Sequence, residues 1–78
     1  QYEVKVFPNP VVGQFLNIEV KGLSAYEVEI FNLFGKRIFR KNVNRKSCQI
    51  AIDEWSSGIY LLKLKNSEFQ ETRKVIIP

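Results

Sequence analysis

Histidine and methionine are absent from these 78 residues, and cysteine occurs once. Without His there is no imidazole base, and Cys48 has no recognisable partner, so a nucleophilic triad has nothing to be built from. A lone cysteine also excludes an internal disulfide framework and leaves the redox compartment unspecified. Cys/His clusters and calcium-loop spacing are missing, which argues against a metal cofactor. No phosphate-cradling loop or nucleotide fingerprint points to any other cofactor. Asp53 and Glu54 are adjacent, and neighbours on an extended backbone point apart, so they make a poor carboxylate pair. No apolar run approaches the roughly 20 residues of a membrane-spanning helix. Val75-Ile76-Ile77 is typical of what there is. No N-terminal signal peptide is visible either. With no Met and with Gln1 already in strand-like sequence, the chain reads as a piece excised from a longer polypeptide.

What is present is apolar and aromatic. Hydrophobic residues make up 45% of the chain, with six Phe, three Tyr and one Trp, enough for one shared core in one domain spanning residues 1–78. The apolar residues follow a period of two, and no helical stripe appears. Strands are expected at Tyr2 to Phe7, Gln14 to Lys21, Tyr26 to Leu33, Lys36 to Val43, Cys48 to Ile52, Ile59 to Lys65 and Phe69 to Ile77. A turn signal about every 8–12 residues suits a small sandwich or barrel.

Leu16, Ile18 and Val20 alternate with polar residues, as do Tyr26, Val28 and Ile30, and both sets are expected to face the core. Tyr60, Leu62 and Leu64 form a third inward row. Ile59 and Leu61, on the opposite parity, suggest a central strand covered on both faces. Lys36 to Lys46 differs: its cations Lys36, Arg37, Arg40, Lys41, Arg45 and Lys46 occupy both parities, with no acid among them. Such a strand, Lys36 to Val43, belongs at a sheet edge or next to one, where charge blocks unwanted pairing. Self-association is then limited to a monomer or a weak dimer through an exposed edge.

Three short segments carry more information. Pro8-Asn9-Pro10 removes two backbone donors and drives Phe7 and Asn9 toward extended geometry, a stiff elbow between the first two strands. Leu33-Phe34-Gly35-Lys36 reads as a hairpin reversal in which Gly35 supplies the unusual φ. Ser57-Gly58-Ile59-Tyr60 launches a strand, with Tyr60 expected as a core anchor whose hydroxyl finds a partner. The single tryptophan, Trp55, precedes that turn and is expected to lid the core. The terminal strand carries a basic pair, Arg73-Lys74, before Val75-Ile76-Ile77.

In this order and spacing, and over essentially the whole chain, these segments resemble the C-terminal sorting domain of proteins exported through the type IX secretion system of Bacteroidota, type A form. The resemblance implies a seven-stranded antiparallel β-sandwich of immunoglobulin-like architecture that performs no chemistry itself. It implies a cargo domain N-terminal to it in the same chain, recognition by an outer-membrane translocon and removal by a sortase-like cysteine peptidase. The route would run through the periplasm to the cell surface or medium. The sorting-motif residues carried over are Pro8, Asn9, Pro10, Gly35, Lys36, Gly58, Tyr60, Arg73 and Lys74. Asn66-Ser67 departs from the Gly-containing turn more usual in such hairpins, and Trp55 stands where the family generally has a Leu-type residue.

Two other readings stay open on the residues alone. One is a structural or adhesive immunoglobulin-like module that stabilises a neighbouring domain. The other is a single-strand nucleic-acid binder, suggested by a net charge of +4 with Phe34 and Phe39 among the cations. The aromatic cluster such binders display is missing, so nucleic acid is not an expected partner.

Overall fold

The computed structural model describes residues 2–23 and 25–78. Seven strands follow one another: β1 (Glu3–Phe7), β2 (Phe15–Lys21), β3 (Tyr26–Asn32), β4 (Arg37–Val43), β5 (Ser47–Ala51), β6 (Gly58–Lys65) and β7 (Gln70–Ile77), with no helix among the described residues. Every expected strand is present, its bounds displaced by at most one residue. Gln1 lies outside the described residues.

The strands form two antiparallel sheets, one ordered β1-β2-β5 and the other β4-β3-β6-β7. The fifth strand returns to lie beside the second, and the sixth beside the third. This is the crossed connectivity of an immunoglobulin-like sandwich. β4 stands at the edge of its sheet, as its charge demanded, and β6 stands inside the same sheet.

The core lies between the sheets and is built by the inward parity of each strand. Leu16, Ile18, Val20, Val28, Ile30, Leu62 and Leu64 are fully buried. Each such side chain contributes about 1.5–3 kcal/mol relative to exposure. Tyr26, Tyr60, Ile50, Val75 and Ile77 extend the same layer.

One expectation is corrected. Ile59 and Leu61 are 38% and 39% exposed, so the far face of β6 is not covered. A two-layer sandwich has one interior, and a central strand in it is central only to hydrogen bonding. Phe69 also falls just outside β7, where its ring tilts against Tyr2 at 4.4 Å between centroids.

Candidate recognition surface

The Pro-Asn-Pro elbow leaves β1 and is stitched to the last strand. Asn9 Nδ2 donates to the Lys74 carbonyl at 2.8 Å, and Asn9 Oδ1 accepts from the Ile76 N–H at 3.0 Å. The Val11 N–H then donates to the Ile76 carbonyl at 2.9 Å. One carboxamide offers a donor and an acceptor side by side, as a peptide group does, so Asn9 imitates a neighbouring strand along the open edge of β7. Pro8 and Pro10 have no N–H to compete for these carbonyls.

Arg73 is on the core face of β7, opposite Leu62. It pairs with Glu71 and donates through Nη2 to the Val4 carbonyl of the other sheet at 3.3 Å. Its guanidinium is therefore a strut between sheets. Lys74, on the opposite parity, is exposed on the outer face beside Leu61. The two members of the basic pair thus have different surroundings.

The β3–β4 hairpin is organised by Asn32. Its side-chain Oδ1 accepts from the N–H groups of Phe34 and Lys36 at 2.9 and 3.0 Å, and its carbonyl accepts from the Gly35 N–H at 3.0 Å. Gly35 sits at φ 86°, which only glycine adopts cheaply. The tip presents Leu33 and Phe34, the latter 95% exposed. Sequence reasoning named Phe34 in this reversal but missed Asn32 as its organiser. Asn two residues before a reversal is a usable signal for such a turn.

Tyr60, near the start of β6, donates its hydroxyl to the Ser56 carbonyl at 2.6 Å, the tyrosine-corner arrangement of Greek-key sandwiches. Its ring lies 5.5 Å from that of Trp55, which in turn lies 6.1 Å from Phe39. Trp55 packs on the core as a partly buried lid. Ser57 Oγ donates to the Pro78 carbonyl at 2.8 Å, which ties the Gly58 turn to the last residue of the chain.

The registers bring these pieces to one end of the larger sheet. Phe31 faces Arg37 on one side and Leu61 on the other, and Leu61 faces Lys74. A single cross-strand row thus runs from the hairpin base to the elbow-bound strand. Around it the outer face is apolar, with Ile59, Leu61 and Phe31, and Lys63 stands over the Phe31 ring at 5.6 Å.

Farther down this face two of the six cations of the basic run are paired. Glu29, buried, binds Arg37 at 3.0 Å and Lys65 at 3.1 Å, while Glu27 binds Arg40 and Lys65. The Arg37 and Lys65 hydrogen bonds hold the Glu29 carboxyl below its ordinary range. Two edge cations are therefore committed to the sheet's own acids.

Between β4 and β5, burial pushes the Cys48 thiol up, with Lys41 and Arg45 acting against it. Burial, and then Cys48, push the Tyr26 hydroxyl up to about 12. Neither group is prepared for acid–base work at neutral pH.

Residues 5–78 match the family model described as a secretion system C-terminal sorting domain. An ulvan lyase of Nonlabens ulvanivorans is 32% identical over 76 residues, covering 94% of this chain. An endo-acting ulvan lyase of Formosa agariphila is 30% identical over 76 residues, covering 96%. The chain spans only 14% of the length of each of these relatives.

Proposed function

This chain belongs to the secretion system C-terminal sorting domain family, and from that membership we propose how its surface is read during export. The module is a sorting signal for type IX secretion, which delivers the polypeptide carrying it to the cell surface or the medium. Residues 1–78 form one such domain behind a larger secreted cargo; the two relatives, named as lyases and some seven times longer, support that arrangement. The chemistry of the whole protein resides in the cargo, and the tail itself is not catalytic. Its partners are the outer-membrane translocon and a sortase-like peptidase that removes it.

The observation that carries this reading is the Asn9 clip, because it joins the first sorting motif to the last strand beside Lys74. Pro8, Asn9 and Pro10 fix the edge of β7, Gly58 and Tyr60 fix the start of its neighbour, and Gly35 and Lys36 close the hairpin at the same end. Lys74, like Lys36 and Lys63, is a cation of this surface with no acidic partner among the described residues, and Arg73 serves the fold behind it.

The test is delivery of a signal-peptide-bearing reporter fused to this chain in a type IX-competent bacterium. Lys74→Ala should leave stability nearly unchanged, since an exposed charge contributes about 0–1 kcal/mol, and should lower surface or medium delivery. Deleting Arg73 to Pro78 removes the clip's partners and the Arg73 strut, and should block both folding and delivery. Normal delivery of the truncated fusion defeats the sorting reading. Normal delivery with Lys74→Ala alone removes that residue from the recognition surface.

A further inference from the structure

The two sheets have four outer edges, and three carry a recognisable device against strand addition. The Lys74–Ile76 end of β7 is covered by the Asn9 clip and Val11, and the rest of the strand carries Glu71 and Arg73 on its inward parity. β1 alternates Glu3 and Lys5, and its outward Val4 carbonyl is taken by Arg73. β4 carries Arg37, Arg40 and Lys41, the last on the core face opposite Val28. Inward and outward charges of this kind are how sheets refuse a new neighbour.

β5 is the exception. Ser47–Ala51 contains no charge and no proline. Its ladder with β2 is bracketed by the Val20 N–H donating to the Lys46 carbonyl at 2.7 Å and the Ile52 N–H donating to the Gln14 carbonyl at 2.8 Å. The register between them is continuous, so Cys48 and Ile50 point their backbone groups at β2. Ser47, Gln49 and Ala51 then direct theirs to the open side, where no backbone partner meets them among the described residues.

A groove of about 580 Å³ opens at the Ser47 end of this edge, lined there by Ser47, Gln49, Lys41 and Arg45, and runs across the sheet past Glu19 to Phe7 of β1. Glu19, opposite Lys5 and Ser47 on its neighbouring strands, is the groove's one acid and is outnumbered by Lys41 and Arg45. Neither has an acidic partner among the described residues, in contrast to Arg37 and Arg40.

We propose that β5 is a docking edge that takes an extended acidic segment of a separate partner protein as a fourth strand of the three-stranded sheet. The partner's backbone pairs with Ser47, Gln49 and Ala51, and alternate acidic side chains reach Lys41 and Arg45. A second copy of this chain is disfavoured at the same edge, because symmetric pairing sets Lys41 and Arg45 of both copies against each other. The proposal goes beyond the sorting assignment and does not depend on which residues the translocon reads.

The probe is an acetylated, amidated peptide of four Glu-Thr repeats, titrated into the isotope-labelled chain and followed by backbone amide resonances. Saturable shifts at Ser47, Gln49 and Ala51 are expected, weakened by added salt. A peptide of four Lys-Thr repeats should give none. Gln49→Pro removes an outward donor and leaves the β2 ladder intact, and should weaken binding about tenfold. Should that variant not fold, Lys41→Gln with Arg45→Gln serves instead and should weaken binding several-fold. Absence of saturable shifts at millimolar acidic peptide, an equal response to the basic peptide, or indifference to whichever folded variant is used overturns the proposal. So does sedimentation showing self-association through this edge.

Discussion

Replacing Asn9 by Ala deletes a donor and an acceptor at once, and both of their partners belong to the backbone of β7. Each such bond contributes a net ~0.5–1.5 kcal/mol. Because both are exposed, the lower half of that range applies, giving about 1–2 kcal/mol for the pair. In a domain of this size that corresponds to a fall in Tm of about 5–15 °C. The loss should also be local: the Ile76 amide, now donating to Asn9, should exchange with solvent faster than amides inside the β3–β6 ladder.

Asn9→Asp sharpens the test. The acceptor for Ile76 survives, but at neutral pH an ionised oxygen replaces the donor and faces the Lys74 carbonyl. The neutral acid is the form that fits, so the folded-state pKa is raised above the unfolded value of about 3.9. The gain is therefore present below that value and is lost as pH rises through the folded pKa. Asn9→Asp should be no more stable than Asn9→Ala at pH ~7 and more stable than it at pH ~3, by urea denaturation of both variants in the same buffers. Unchanged Tm and unchanged Ile76 exchange in Asn9→Ala would refute the clip.

Three further outcomes follow from the same geometry. Tyr60→Phe keeps the ring against Trp55 and loses the bond to the Ser56 carbonyl, so its urea midpoint should fall by the equivalent of about 1 kcal/mol. Glu29, whose carboxyl is held low first by Arg37 and then by Lys65, contributes stability that is present above its unfolded pKa and lost as pH falls through the lower folded one; Glu29→Gln should flatten stability across that acid range in a series of urea titrations. Gly35→Ala meets no clash, since nothing lies within 4 Å of its added Cβ, yet should cost about 1–2 kcal/mol for its positive φ; Gly35→Asn should recover part of that in a thermal melt.

The strands were legible because alternation reports directly on the one interior of a two-layer fold, and Leu16, Ile18 and Val20 could not have been placed otherwise. The edge position of β4 was legible for the same reason, since charges on both parities have no interior to enter. Which strand lies beside which was not, because periodicity carries no information about partners; the immunoglobulin-like connectivity came from the resemblance. The elbow at Pro8 to Pro10 was readable as stiff, but its attachment to Lys74 and Ile76 lies some 65 residues away in the chain and leaves no local trace. Arg73 and Lys74 look alike as neighbours, and only the register against Leu62 and Leu61 separates a strut from a surface charge.

The clip also has a chemical lifetime. An asparagine ages when the backbone nitrogen of the next residue attacks its side-chain carbonyl and expels ammonia, a ring closure that needs a nitrogen able to give up its hydrogen. Pro10 follows Asn9 and has none to give. Asn66, which organises the β6–β7 turn by accepting from the N–H groups of Glu68 and Phe69, is followed instead by Ser67 and keeps that route open. In a chain kept folded for long, the turn should become an aspartate before the elbow does, and the latch on the last strand should outlast the hairpin that introduces it.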